Sequence, residues 1–128
     1  MRRFSILLCL VTLAGPAPAQ EWRQAAEYDV LLTSYAIEPG VMHLKAEAPV
    51  RLRFVNNSNR GHDFSARSFF RAARVRDRDA ASVADGSLEI GPLSTRTIAL
   101  VPKAGRYKVG SSNFLHRLLG MTGTIIVE

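Results

Sequence analysis

The stretch YKVGSSNFLHRLLGMTGTIIVE, residues 107–128, says more about the fold than any other part of this sequence. It starts with a β-prone run at 107–110 and ends with another at 123–128. The segment between them carries His116 and, five residues later, Met121. Imidazole and thioether groups bind soft and borderline metal ions. Two strands that enclose a His and a Met therefore predict a metal-binding loop at one end of a β-structure.

The rest of the chain reads as further short strands, separated by Gly, Pro and Asn. In VRLRFVN (50–56) apolar and basic residues alternate, so we expect Val50, Leu52 and Phe54 to face inward. The same alternation in VMHLKA (41–46) points His43 outward, away from any site. Other β-prone runs span 27–37, 87–90, 95–101 and 106–110. About seven short strands in about 100 residues predict an all-β, two-sheet antiparallel sandwich.

One segment of the chain, 68–84, has a helical pattern. Phe69 and Phe70 can share a buried side there, and we expect the segment to cross from one sheet to the other. The overlapping run RSFFRAARVRDRD (67–79) is rich in arginine. Such a run is either a docking patch or a solvated face partly neutralised by its own aspartates, and we favour the solvated face. The chain has 17 basic and 11 acidic residues, and no motif indicates nucleic-acid binding.

The N-terminus has the pattern of a secretory signal. Arg2 and Arg3 precede the apolar run FSILLCLVTLAG, which is too short to span a bilayer, and APA at 17–19 suits cleavage after Ala19. We therefore expect a signal peptide at 1–19, a single domain at 20–128, a periplasmic or secreted location and no stable membrane anchor. The only cysteine, Cys9, would be removed with the signal. The exported domain would then have neither a disulfide nor a thiolate.

The order of the candidate ligands resembles that of a known family. FVNNSNRGHDF (54–64) leads from an Asn-containing loop to His62, and the C-terminal stretch then supplies His116 and GMTGTIIVE. In this order the chain resembles the cupredoxins, the blue-copper proteins. The resemblance implies a two-sheet Greek-key cupredoxin-like sandwich with one short helical crossover, and copper as the cofactor.

The resemblance also implies a ligand set. In the family, two His and a Cys thiolate hold copper, with a weak axial Met. Carried over, the ligands are His62, His116 and Met121, and the position of the cysteine falls on Ser111 by two spacings and on Asn113 by a narrower one. A serine hydroxyl stays protonated near neutral pH and cannot replace a soft anion. Ser111 is at most a weak or vestigial ligand, and a blue site cannot form.

Three functions remain open at this point. The chain could be a non-enzymatic copper carrier, buffer or electron-transfer-related protein that meets a redox or copper-handling partner. It could instead be a metal-free cupredoxin-like scaffold that binds a protein partner, or an electron-transfer protein that takes a ligand from another chain. Motifs typical of hydrolases or phosphate-binding enzymes are absent from the sequence. We expect copper binding and no enzymatic activity.

Overall fold

The computed structural model describes residues 18–113 and 121–128, which form a sandwich of two five-stranded sheets. The first sheet has the order β2-β1-β4-β8-β6 and contains β1 (Ala26–Leu32), β2 (Ile37–Glu38), β4 (Val50–Asn56), β6 (Arg74–Val75) and β8 (Thr95–Val101). The second has the order β3-β10-β9-β5-β7 and contains β3 (Val41–Leu44), β5 (His62–Ser65), β7 (Ser87–Ile90), β9 (Gly105–Gly110) and β10 (Thr122–Val127). Three short α-helices, α1 (Pro18–Arg23), α2 (Arg67–Ala72) and α3 (Asp77–Ala80), and a 3₁₀ turn (Ala81–Val83) complete the described part.

The alternation in the sequence correctly predicts which side chains form the core. Along β4, Val50, Leu52 and Phe54 are buried, and the residues between them are only partly so. Along β3, Met42 and Leu44 are buried whereas His43 is exposed. Successive side chains of a strand point to opposite faces of a sheet, so each strand contributes one apolar row to the space between the sheets.

The prediction of a purely antiparallel sandwich is wrong in two places. β1 lies parallel to β4, and β3 lies parallel to β10. Parallel neighbours need a long connection, and the chain provides one by visiting the second sheet as β3 before it returns to the first as β4. Side-chain alternation is the same in parallel and antiparallel strands, so the sequence pattern did not reveal the crossover.

The predicted helix at 68–84 is interrupted. α2 ends at Ala72, and β6 then pairs with β8, with Arg74 opposite Val101. The buried carboxylate of Asp79 accepts hydrogen bonds from Arg76 Nε (2.7 Å) and from the backbone N–H of Ala99 (3.0 Å), which fixes this segment on β8. The segment reaches the first sheet through β6, but it returns to the second sheet instead of ending in the first as predicted, because β5 and β7 on either side of it are paired neighbours there.

Aromatic rings of β5 and α2 pack into the core. The ring centroid of Phe64 lies 4.7 Å from that of Phe54 and 6.1 Å from that of Phe70, so it joins β5 to β4 and α2. Phe69 packs edge-on against Tyr107 of β9 at 5.5 Å. Both phenylalanines of α2 are buried, in agreement with the sequence pattern. In the described residues, none of the helices combines the length and apolarity needed to cross a bilayer.

Candidate metal centre

Asn56 shapes the loop that leads to His62. It occupies the next inward position of β4 after Phe54 and is buried. Its side-chain amide donates to the carbonyl oxygens of Arg60 (2.7 Å), Ile90 (3.1 Å) and Gly91 (2.9 Å). Its Oδ1 accepts from the backbone N–H (3.0 Å) and the hydroxyl (2.9 Å) of Ser58. One carboxamide therefore ties the loop between β4 and β5 to the end of β7.

His62 is the first residue of β5 and is only 5% exposed. It lies on the inward side of that strand with Phe64, since both are buried while Asp63 and Ser65 between and after them are not. A pocket of about 400 Å³ opens beside it, and Ser112, Asn113 and Gly91 also line this pocket. The sequence predicted a loop before His62 but not that His62 itself opens a strand.

The strand register brings Ser111 and Met121 to the same end of the second sheet as His62. Gly110 is paired with Thr122 of β10 and with Ser65 of β5. Ser111 and Met121 are the next residues beyond that row, and His62 lies on β5 beyond Ser65 in the same direction. Ser111 is 1% exposed and Met121 fully buried. This end of the sheet thus gathers one imidazole, one thioether and one hydroxyl.

The Ser111 hydroxyl is engaged by a carboxylate that the sequence did not single out. It donates to Asp63 Oδ1 over 2.6 Å, and its own oxygen accepts from the backbone N–H of Asn113 at 3.1 Å. Asp63 Oδ2 accepts from the backbone N–H of Ser112 (2.7 Å) and from the Ser87 hydroxyl (3.2 Å). Ser111, which the sequence predicts to stand at the cysteine position, therefore has a defined structural role as the link between β9 and β5.

The same contacts keep Asp63 ionised. Its partial burial alone would raise the pKa of the carboxyl group, because burial disfavours the charged form. The hydrogen bonds from Ser111, Ser112 and Ser87 act in the opposite direction, and together they lower the pKa below its ordinary value. A negative charge consequently lies directly beside the Ser111 hydroxyl.

Besides His62, the sequence contains two other histidines, His43 and His116. His43 is exposed on β3, as predicted, and lies outside the candidate site. His116 lies outside the described residues, so its predicted role as a ligand stays a prediction. Within 18–113 and 121–128, no three His, Cys, Asp or Glu side chains come together in a way that could hold a metal ion.

The donor atoms at this end of the sheet are compatible with one kind of copper site and not with another. They do not fit a thiolate-bound blue centre, because the Ser111 oxygen is a protonated hydroxyl committed to Asp63. They do fit a set of neutral ligands, since the imidazole of His62 and the thioether of Met121 are donors that copper accepts in proteins. Thioether sulfur favours Cu(I) over harder divalent ions.

With the fold and this geometry established, the class is clear: the chain has the cupredoxin fold. Among solved structures it is similar to auracyanin B, with 23% identity, a TM-score of 0.56, and 81% of this chain and 89% of that one covered. It is also similar to dithionite-reduced auracyanin from the photosynthetic bacterium Roseiflexus castenholzii (15% identity, TM-score 0.58, 81% and 98% covered). A third similar structure is auracyanin A from Chloroflexus aurantiacus, described as a blue copper protein (17% identity, TM-score 0.53, 80% and 100% covered). No protein-family model and no curated protein sequence matches the chain.

Proposed function

We propose that this protein is exported and binds copper through His62, His116 and Met121, as a carrier, a buffer or an electron-transfer-related protein. The observation that carries the proposal is the position of buried His62 and buried Met121 at one end of the second sheet. The fold that holds them is shared with the auracyanins, one of which is described as a blue copper protein. A redox or copper-handling protein would be the partner.

The chain's own residues define what kind of copper site this would be. Copper, when bound, supplies one-electron chemistry. His62 and Met121 offer uncharged donors, and Ser111 remains hydrogen-bonded to Asp63 instead of providing an anionic ligand. A neutral nitrogen and sulfur set stabilises Cu(I), and Cu(II) held by it lacks the intense thiolate charge-transfer colour. Such a site suits the storage or transfer of Cu(I) better than rapid electron exchange.

Isothermal titration calorimetry with Cu(I), Cu(II) and Zn(II) tests this proposal. We expect Cu(I) to bind with a Kd of about 1 μM or tighter and the His62→Ala/His116→Ala double variant to lose that binding. His43→Ala is the matched control, because it removes an exposed histidine outside the site and should leave the affinity unchanged. Absence of heat with every metal, or undiminished binding by the double variant, would contradict the proposal.

Export is supported by the signal pattern at 1–19. Mass spectrometry of the protein recovered from the periplasm or medium of an expressing bacterium should give a chain that begins at Gln20. Recovery of the chain with residues 1–19 attached, in the cytoplasmic fraction, would contradict export. This experiment is independent of the copper titration.

A metal-free scaffold is the second candidate, and one surface favours it. A groove of about 640 Å³ near α1 and β6 is lined by Arg23, Arg51, Arg74, Arg76 and Arg78. Part of this charge already has a structural role: Arg74 Nη2 lies 2.6 Å from Glu21 Oε1, Arg74 Cζ lies 5.3 Å from the Trp22 ring centroid, and Arg76 pairs with Asp79. We therefore rank the scaffold below the copper protein, and titrations without heat would reverse the order.

A further inference from the structure

The outer face of the second sheet has a basic depression next to the candidate metal centre. It has a volume of about 550 Å³ and lies over the end of β9. The lining contains Arg67, Arg106 and Lys108 and four residues with aliphatic hydroxyl groups, which are Ser65, Ser68, Ser111 and Thr122. Among the described residues that line it, none is acidic.

The strand register explains why there is a depression at this place. Gly110 is paired with Ser65 on one side and with Thr122 on the other. Across the three strands, this row therefore consists of the Ser65 hydroxyl, a glycine without a side chain, and the Thr122 hydroxyl. Lys108 lies two residues before Gly110 on the same face of β9, about 7 Å away along the strand. Arg67 follows Ser65 by two residues, at the start of α2.

The three cations of this depression have no acidic partner within the described parts of the chain. Some arginines outside the depression are paired: Arg53 binds Asp29 at 2.8 Å, and Arg74 and Arg76 have carboxylate partners of their own. Arg67, Arg106 and Lys108 are exposed and make no ion pair among residues 18–113 and 121–128. Three like charges held around one concavity repel one another, and an anion between them relieves that repulsion.

We propose that this depression is a binding site for a small oxyanion such as a phosphate group, seated over Gly110 between Ser65 and Thr122. Lys108 and Arg67 provide charge-assisted hydrogen bonds to it, and Arg106 adds positive charge at the far side. Asp63 is the nearest acid along β5, and its carboxylate is already bound by Ser111, Ser112 and Ser87. Because Ser111 lines the depression and also binds Asp63, the anion would lie one side chain away from the candidate metal centre. The proposal does not depend on copper binding.

The test is a titration of the metal-free, ¹⁵N-labelled protein with inorganic phosphate at constant ionic strength, followed by amide chemical shifts. We expect saturable shifts confined to the end of β9 and its neighbours, with Gly110, Ser65 and Thr122 among them. The Arg67→Gln/Lys108→Gln variant should bind phosphate at least tenfold more weakly. The matched control is Arg78→Gln/Lys103→Gln, which removes the same charge from exposed positions outside the depression and should bind as the unaltered protein does.

A parallel titration with a hexaglutamate peptide distinguishes a free anion from the carboxylates of an acidic protein surface. Shifts that saturate with phosphate support the proposal. Shifts with the peptide but not with phosphate would overturn it in favour of a docking surface. Shifts scattered over all exposed basic residues, or an equal loss of affinity in the control variant, would also overturn it.

Discussion

Ser111→Ala removes the hydroxyl that joins β9 to Asp63, and we expect it to destabilise the protein although it leaves the apolar core intact. The substitution deletes a hydrogen bond of 2.6 Å to a carboxylate and leaves that carboxylate with the Ser112 N–H and the weaker Ser87 hydroxyl. A hydrogen bond to a charged group contributes about 1.5–3 kcal/mol to the free energy of unfolding. We therefore expect a loss of about 2 kcal/mol at pH 7.

The loss should depend on pH in a defined direction. The pKa of folded Asp63 lies below its ordinary value, so the carboxylate stabilises the fold above that ordinary value, and this contribution disappears as the pH falls through the folded pKa. Ser111→Ala should raise the pKa of Asp63. Once Asp63 is protonated, at a pH below its lowered folded pKa, the hydrogen bond is one between neutral groups and contributes only about 1 kcal/mol. The difference between the two proteins should therefore shrink in acid.

Urea denaturation of the metal-free proteins measures this effect. With a typical slope of about 1–3 kcal/mol per molar urea, a loss of 2 kcal/mol lowers the midpoint by about 1 M. Ser87→Ala, which removes a 3.2 Å hydrogen bond to the same carboxylate, should have a smaller effect. Ser34→Ala, at an exposed serine, should have none. If Ser111→Ala is no worse than Ser34→Ala at pH 7, or if its effect grows in acid, the structural role assigned to Ser111 is wrong.

Three further outcomes are expected. Asn56→Asp replaces the donor of the buried carboxamide by an acceptor that faces three carbonyl groups. We expect this variant to lower the free energy of unfolding in urea titrations by about 3 kcal/mol and to weaken copper binding. Phe64→Ala should cost about 3–5 kcal/mol by the same measurement, because a fully buried ring with two aromatic neighbours leaves a cavity. Ser111→Cys should produce a strong visible absorption band with Cu(II). Adding Asp63→Asn to this variant should strengthen copper binding, because the amide can donate a hydrogen bond to the thiolate whereas the carboxylate repels it. Asn113→Cys is the control for these two variants and should give at most a weak visible band with Cu(II). A colourless Ser111→Cys/Asp63→Asn protein that remains folded would show that the pocket no longer accepts copper.

Much of the fold could be predicted because alternation along a strand depends only on which face is buried. This is why β3 and β4 were identified with the correct faces inward. Strand direction depends on how distant segments pair, and local patterns carry no information about it. The break in the helical segment at Arg74 has the same origin, because pairing with β8 overrides a weak helical preference.

The candidate site was predictable in its donor types and less so in its supports. His62, Ser111 and Met121 stood out because their order resembles a known family. Asn56 carried a signal that was missed: it continues the inward row of Val50, Leu52 and Phe54, and a polar residue in such a row is usually engaged in hydrogen bonds. Asp63 offered no comparable signal, since its partners on β7 and β9 are far away in sequence and become neighbours only after folding.

The pairing of β9 with β10 also has a consequence for engineering. Six register pairs, from Gly110 opposite Thr122 to Gly105 opposite Val127, fix where the connection between these strands departs and returns. β3 pairs with the other edge of β10 from Thr124 to Val127, so most of this strand is held on both sides. Under these conditions a longer connection costs little, about 0.6 kcal/mol for each doubling of its length. Residues 113–120 can therefore be replaced by connections of other lengths and ligand contents, provided that Ser111, Ser112 and Met121, which bind Asp63 or fill the core, are retained.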